Sequence, residues 1–253
     1  GVNAALTSSY QTYQVNSNLW VGLAMNAPYG LMTKSKAPWA GQNFGLTSQA
    51  SSFDINPVIA YKFNDMVSIA LGVQVQWFKT RQTQTANGAG FLNELKGSSW
   101  GVGFTAGIPI KPMAGTEIGL GYRSAVRNDL KGNLNVFTGA GALFASLPAS
   151  VSLTTPDTLT IGLRQQVAPQ WTLLAGFEWM GWSRIKEPVV FNRTTGIPIT
   201  TLFLDYKDGW MASLGAEYKW SPEWTFRGGL AYERAPINDG NRDVRLLDGD
   251  RVW

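Results

Sequence analysis

The feature that most restricts the fold is a strict alternation of apolar and polar side chains with a period of two. Between positions 210 and 220, Trp210, Leu214, Tyr218 and Trp220 fall on one face, and the residues between them are small or polar. Residues 224–233 repeat the pattern, as do five other segments. Because successive side chains of a strand point to opposite faces, this period predicts β-strands rather than helices.

The alternating segments are joined in turn by tight turns and by long connections. The long connections span residues 28–45, 80–97, 128–147, 186–200 and 235–247. A soluble sandwich also alternates, but here aromatic residues concentrate at both ends of the strands. Beside the long connections they are Trp77, Phe78, Trp100, Tyr122, Trp179, Trp182, Trp210 and Tyr232. Two aromatic girdles with loops that are long on one side only are typical of outer-membrane barrels.

The face opposite the apolar one is small and polar, and it carries both acidic and basic side chains. A dry core would not accept so many unpartnered charges, whereas a wet lumen would. The sequence therefore predicts an all-β chain that forms a transmembrane antiparallel up-and-down β-barrel.

Eleven strand segments are predicted, the last of them short, at residues 4–13, 18–27, 47–62, 66–79, 97–110, 114–127, 148–167, 171–185, 201–219, 224–235 and 248–253. Bacterial single-chain barrels have an even number of strands, and an open edge in lipid leaves backbone groups unpaired. We therefore expect residues 1–253 to be a single β-barrel domain that is part of a larger barrel.

Composition excludes several classes of chemistry. The chain contains no cysteine and no histidine, so thiolate metal sites, histidine-ligated metals and histidine-based acid–base catalysis are impossible. The net charge of +4 is scattered along the chain, which argues against nucleic-acid binding. We expect no enzymatic activity and no cofactor. An oxygen-rich group near the C-terminal end fits no EF-hand spacing, so we expect no metal there: Asn238, Asp239, Asn241, Asp243, Asp248 and Asp250.

An ordered set of short strings carries a family resemblance: NAPYG at 26–30, YRS at 122–124, TPD at 155–157, PQW at 169–171, EWTFRGG at 223–229 and DGDRVW at 248–253. Together they resemble the FadL family of outer-membrane transporters, which carry long-chain fatty acids and aromatic hydrocarbons. The resemblance implies a fourteen-stranded barrel plugged by an N-terminal hatch, and neither the hatch nor the last strands is recognisable in this sequence. It also implies passive uptake, from an outer groove to an inner pocket and then sideways through the wall.

Apolar side chains on exposed loops are unfavourable unless they pack together or bind something. The loops at 28–45 and 80–97 lie where the family forms its outer groove. The candidate ligand-binding residues are Leu31, Met32, Trp39, Phe44, Phe91, Leu92 and Leu95. The alternative is that these side chains pack against one another as an ordinary loop core.

Lumen charges are a second set of candidates, because they can hold a substrate carboxylate by charge-assisted hydrogen bonds. They are Glu117, Arg123, Arg164, Glu178 and Arg227. The alternative, which we favour for each residue taken singly, is a salt-bridge network that braces the barrel.

The sequence thus predicts a monomeric barrel in the bacterial outer membrane that takes up a hydrophobic small molecule, either a long-chain fatty acid or a monoaromatic hydrocarbon, amid lipid or detergent. Two other functions stay open. A general aqueous porin is favoured by the polar lumen and opposed by the apolar loops, and a structural or adhesion barrel would use its loops to bind a macromolecule.

Overall fold

The computed structural model of the chain describes residues 7–86, 90–237, 240, 242, 244–245 and 249–253. It contains antiparallel strands and one single-turn 3₁₀ helix, Trp182–Arg184. No helix in these ranges is long and apolar enough to span a membrane. The strands are β1 Ser9–Gln14, β2 Leu19–Asn26, β3 Gly30–Lys34, β4 Thr47–Lys62, β5 Ser68–Ala86, β6 Phe91–Met113, β7 Thr116–Arg123, β8 Val126–Phe137, β9 Leu143–Thr155, β10 Thr158–Gln166, β11 Trp171–Met180, β12 Val189–Asn192, β13 Pro198–Thr201, β14 Gly209–Lys219, β15 Thr225–Arg234 and β16 Arg251–Val252.

Eleven of these strands form one continuous wall in the order β1-β2-β4-β5-β6-β7-β10-β11-β14-β15-β16. Each of them overlaps one of the eleven segments that the alternation predicts, although the bounds differ, and the all-β antiparallel fold is confirmed. In the described part of the chain, β1 and β16 are the two edges of the wall, and no ladder joins them.

Side-chain burial is inverted relative to a soluble protein. Leu214 and Leu230 are each 71% exposed on the outer face, whereas the polar side chains of Asp54, Gln76 and Asn128 are fully buried on the inner face. The outer face is thus the apolar face of the alternating pattern, as a lipid-facing surface requires.

Strand β6 is long because the single 16-stranded sheet branches along one of its edges, into the wall and into an upper part that we call the upper sheet. Its second half pairs with β7 in the wall, and its first half pairs with β8, which leads on to β9, β12 and β13. The inner face of this upper sheet holds the hydrophobic core: Phe78, Leu130, Ala149, Val151 and Val190. The upper sheet therefore closes over one side of the barrel mouth.

Several segments predicted to be long loops are paired strands instead. Hairpin β5–β6 continues the ladder through residues 80–86 and 91–97, and hairpin β8–β9 does so through 128–137 and 143–147, because their outward and inward positions keep alternating. Conversely, the single strand predicted at 148–167 is two strands. Its interruption falls at Pro156 and Asp157, where proline has no N–H to donate to a ladder.

Candidate functional site

An apolar cavity of about 370 Å³ lies inside the barrel mouth, beneath the upper sheet. This cavity, the chamber, is lined by inward-facing residues of β4, β5, β6 and β9 and by the segments around residues 28–31, 182–188 and 202–206. Its lining residues include Tyr29, Leu31, Ala50, Phe78, Leu95, Thr155, Trp182, Leu204, Tyr206 and Arg245. Its lining is mostly hydrophobic with a few polar groups, the usual character of a small-molecule site.

Three aromatic rings form one side of the chamber. The ring of Trp182 makes edge-on contacts with Tyr29, at 5.9 Å between centroids, and with Tyr206, at 6.1 Å. The Tyr29 hydroxyl donates to the Pro156 carbonyl oxygen at 3.0 Å. Burial raises the pKa of Tyr29 to about 12, so its hydroxyl stays neutral at physiological pH.

A carboxylate–guanidinium clamp holds Trp182 in place. Arg184 donates from Nε and Nη2 to the two carboxylate oxygens of Asp157, both at 2.8 Å, and Tyr122 donates to the same carboxylate at 3.3 Å. These Arg184 hydrogen bonds keep the pKa of Asp157 below its usual value. Two parallel hydrogen bonds fix orientation as well as distance, so the clamp sets the position of the 3₁₀ helix that carries Trp182.

A layer of buried polar side chains, the polar floor, lies below the chamber. Asp54 Oδ2 accepts from Arg123 Nη1 at 2.6 Å and from Gln74 Nε2 at 2.7 Å. Gln76 Oε1 accepts from Asn128 Nδ2 at 3.1 Å and from the hydroxyl of Thr155 at 3.3 Å. Since Thr155 also lines the chamber, the floor and the chamber share a boundary.

The polar floor is not fully satisfied within the described residues. Asp54 Oδ1, Gln74 Oε1 and Gln76 Nε2 are buried without a hydrogen-bond partner there, and so is Asn26 Oδ1. Each buried unsatisfied group costs about 1–3 kcal/mol. The floor is therefore a barrier for an apolar molecule, and its unsatisfied polar atoms favour binding of a hydrogen-bonding group.

The wall beside the floor has an interruption. Strand β4 pairs with β5 up to Ile55 and again from Val58, but Asn56 and Pro57 have no partner in β5. Pro57 lacks an N–H group, and the Asn56 side chain donates to Thr105 Oγ1 at 3.1 Å. The ladder is thus open for these two residues at the level of the floor, because Asn56 stands opposite the floor residue Gln74 in the register.

Of the seven predicted loop residues, the structure brings two to the chamber, Leu31 and Leu95. Met32 follows Leu31 in β3 and points to the opposite, outer face. Leu92 is three residues from Leu95 and likewise lies on the outer face of β6. The structure therefore splits both apolar clusters between the two faces.

The remaining three lie apart from the chamber. Phe91 packs against Phe144 at the tips of two hairpins, with 5.3 Å between ring centroids. Phe44 is 62% exposed, and Trp39 is half-buried over Gly41. These residues form apolar surface on the loop side of the barrel.

The predicted lumen charges are mostly in ion pairs. Arg123 pairs with Asp54, Glu117 with Lys111 at 3.2 Å, and Glu217 with both Arg164 and Arg227 at 3.3 and 2.7 Å. Glu178 accepts from the Thr160 hydroxyl at 3.5 Å. Glu117, Arg164 and Arg227 border a wide, open concavity of about 820 Å³. This arrangement agrees with a bracing network.

Sequence reasoning singled out one residue of the polar floor, Arg123, but neither its partner Asp54 nor the chamber's aromatic side. Trp182 was predicted in an aromatic girdle but lies in the chamber, because the chain leaves β11 at Met180 and turns inward. Asp54 lies within the long alternating strand β4, where its sequence position does not distinguish it from the other polar inward-facing residues. Of the oxygen-rich group near the C-terminal end, the structure describes Asp250, whose carboxylate accepts from the Tyr232 hydroxyl at 3.0 Å and from the Ala235 N–H at 2.9 Å. The other members lie outside the described residues: Asn238, Asp239, Asn241, Asp243 and Asp248. Among described residues, no group of three or more acidic side chains is placed to hold a metal ion.

Comparisons with known proteins agree with this architecture. The family model described as "Outer membrane protein transport protein (OMPP1/FadL/TodX)" matches residues 1–253. The long-chain fatty acid transport protein of Escherichia coli K12 is 26% identical over 284 residues, covering 94% of this chain and 63% of the relative. Outer membrane protein P1 of Haemophilus influenzae Rd is 23% identical, covering 99% of this chain and 61% of the relative.

Solved structures show the same fold. A Pseudomonas aeruginosa FadL homologue superposes with a TM-score of 0.87 at 24% identity, covering 97% of this chain and 63% of that one. The toluene transporter TbuX of Ralstonia pickettii gives a TM-score of 0.75 at 19% identity, covering 90% and 68%. The chain thus spans slightly less than two thirds of the curated relatives it matches.

The curated relatives are named for transport or for the outer membrane rather than for catalysis. The expectation of an outer-membrane location is confirmed, as is the family resemblance. The chain belongs to the family of outer-membrane transport proteins described as OMPP1/FadL/TodX.

Proposed function

We propose that the protein containing this chain takes up long-chain fatty acids passively across the outer membrane, as a monomeric barrel, and that the chamber is its ligand site. The observation that carries the proposal is the size and lining of the chamber. It measures about 370 Å³ and is mainly apolar. A cavity of about 150 Å³ already holds a benzene molecule, so the chamber has room for much more than one aromatic ring.

The charge at the chamber supports an acidic ligand. Arg245 is the charged residue among the described residues that line it, and a guanidinium is well suited to a carboxylate. A fatty acid placed with its carboxylate toward Arg245 leaves its alkyl chain against Phe78, Leu95 and Trp182. Each methylene buried there contributes about 0.8 kcal/mol.

Three of the predicted loop residues fit the proposal as a capture surface. Met32, Phe44 and Phe91 present apolar side chains on the loop side of the barrel, and the structure adds Phe144, which packs against Phe91. An exposed apolar patch marks an interaction site more often than it marks ordinary surface. We assign these side chains to the first contact with the ligand, before it enters the chamber.

The route out of the chamber is proposed to be lateral. The polar floor lies directly below, and passing an alkyl chain through it would break hydrogen bonds of buried groups. The interruption of the β4–β5 ladder at Asn56 and Pro57 lies at the same level and opens toward the apolar outer face. Release through the wall keeps the alkyl chain in apolar surroundings throughout.

The test is to identify the molecule that the protein retains. The full-length protein is purified in a mild detergent and extracted with organic solvent, and the extract is compared by mass spectrometry with that of a general porin. A fatty acid in a near-stoichiometric amount, absent from the porin, is the expected result. An extract without fatty acid contradicts the proposal and favours the aqueous porin, and a retained aromatic hydrocarbon contradicts the assigned substrate.

A further inference from the structure

The outer face of the upper barrel carries a row in which serine and lysine alternate across five strands. The β-ladder places Ser51 of β4 opposite Lys79 of β5, Lys79 opposite Ser98 of β6, and Ser98 opposite Lys131 of β8. Lys131 is followed by Ser150 of β9. Side chains in such a row share one face, so hydroxyl and ammonium donors form a continuous line.

A second row with more cations lies immediately beyond it. Arg81 of β5 stands opposite Lys96 of β6. We call Lys79, Arg81, Lys96 and Lys131 the outer cationic band. In the opposite direction, toward the membrane, the next outward row contains Trp77 and Trp100, which face each other. The Lys79 ammonium lies 5.4 Å from the centre of the Trp77 ring.

The height of the band places it at the boundary of the hydrocarbon. Outward residues of β5 from Ile69 to Trp77 are apolar and span eight residues. At about 3.3 Å per residue this is roughly 26 Å along the strand, or about 20 Å after a barrel tilt of about 40°. Apolar bands of such barrels are about 25 Å tall, so the cationic band begins where lipid headgroups begin.

The charges of the band are only partly neutralised by the protein. Glu94 accepts from Arg81 at 2.6 Å and lies 3.6 Å from Lys96, and Asp129, next to the band, pairs with Arg127. Lys79 and Lys131 are in no ion pair with any residue that the structure describes, although the Asp129 carboxylate also attracts Lys131 electrostatically. Their backbones are separated by two strand spacings, about 10 Å, with Ser98 between them.

We propose that the outer cationic band is a binding site for the phosphate groups of a phosphorylated lipid of the outer leaflet, held between Lys79 and Lys131 with the Ser98 hydroxyl as a further donor. The charge is complementary, the spacing lets two ammonium groups bracket one phosphate, and the apolar face below accommodates the acyl chains. Lysine binds phosphate as a point charge, and basic side chains beside a bilayer attract anionic lipid. The site is independent of the chamber, which opens to the other face of the same strands.

The experiment measures lipid binding to the full-length protein in a neutral detergent. The probe is lipid A carrying two phosphates, and bound lipid is counted by native mass spectrometry across a titration. The double variant Lys79→Gln with Lys131→Gln is expected to weaken binding about 30-fold, because each basic residue near a membrane surface contributes a factor of about five. A second variant, Ser98→Asp, places a carboxylate between the lysines and is expected to lose binding to a similar extent.

The matched control removes two positive charges elsewhere. Lys111 and Lys219 are exposed and lie near the ends of β6 and β14 that are opposite to the band, so their double change to glutamine is expected to leave affinity within about twofold. A heat-dependent shift in electrophoretic mobility verifies folding of every variant. The proposal is overturned if lipid A without phosphates binds equally well, if the Lys79 and Lys131 variant binds like wild type, or if inorganic pyrophosphate alone displaces the lipid at similar concentration.

Discussion

Filling the chamber with a ring distinguishes a long-chain ligand from an aromatic one. Ala50 lies on the inner face of β4, lines the chamber and packs against the hydrophobic core of the upper sheet. In the variant Ala50→Phe, a phenyl ring occupies part of the space that the alkyl chain would fill. The wall on the outer side of β4 is unaffected, because residue 50 points inward.

The expected magnitude follows from the chamber volume. A benzene-sized group needs a cavity of about 150 Å³, so the new ring takes roughly 40% of the 370 Å³ chamber. If the ring displaces four methylenes of the ligand, at about 0.8 kcal/mol each, the loss is about 3 kcal/mol. The dissociation constant for a long-chain fatty acid then rises about 200-fold. A single-ring hydrocarbon still fits the remaining volume, so its affinity changes little.

The assay is equilibrium binding of a radiolabelled long-chain fatty acid and of toluene to the purified full-length protein. Overpacking costs typically 1–3 kcal/mol, so folding is checked by thermal unfolding. The same substitution at Ala106, on the lipid-facing side between Leu71 and Tyr122, is the control and leaves both affinities unchanged. Undiminished fatty-acid binding in Ala50→Phe would refute the assignment of the chamber as the alkyl site.

Two further predictions concern the scaffold of the site. Because Arg184 lowers the pKa of Asp157, the stabilisation from their contact is complete above the unfolded-state pKa of about 3.9 and is lost as pH falls through the lower folded-state pKa. Asp157→Asn should therefore lower the thermal unfolding midpoint at pH 7, and the difference from wild type should vanish in strong acid. A difference that does not change with pH would contradict this coupling between protonation and stability. A Cβ atom at Gly132 would lie 1.9 Å from the Lys96 carbonyl oxygen, so Gly132→Ala should reduce the free energy of unfolding by roughly 1–3 kcal/mol in thermal unfolding. The control is Gly162→Ala, which should be near neutral because no atom lies within 4 Å of its new methyl group. Equal effects of the two substitutions would refute the close approach of β8 to β6.

The wall was predictable because its strands obey one local rule. Alternation over residues 210–220 identifies β14 without any knowledge of its neighbours, and the aromatic residues at strand ends identify the lipid boundary. The same rule extends into the upper hairpins, where the long connection predicted at 80–97 proved to be paired strand. There the polar residues are outward and the apolar ones inward, so the expected membrane pattern is reversed.

The site was less predictable because it depends on contacts between distant segments. Tyr29 meets Pro156, and Asp54 meets Arg123, at separations of 127 and 69 residues along the chain. Local sequence marks Arg123 as a lumen charge and places Tyr29 and Pro156 in recognisable short strings, but it does not show which residue each of them contacts. Leu31 and Met32 were predicted to share one binding surface. Because adjacent residues in a strand point to opposite sides, only Leu31 lies on the inner face of β3, and Met32 lies on the outer face.

That opposition of faces ties the two proposed sites together in the same strands. In β5, Phe78, Thr80 and Gln82 line the chamber, while the intervening Lys79 and Arg81 belong to the outer cationic band. A shift of register by one residue exchanges the two faces completely. It would put ammonium groups into the apolar chamber and remove the cations from the headgroup level, so both the inner ligand site and the outer lipid site require this one register. Length changes in the upper part of β5 should therefore be damaging even where the hairpin tip tolerates them.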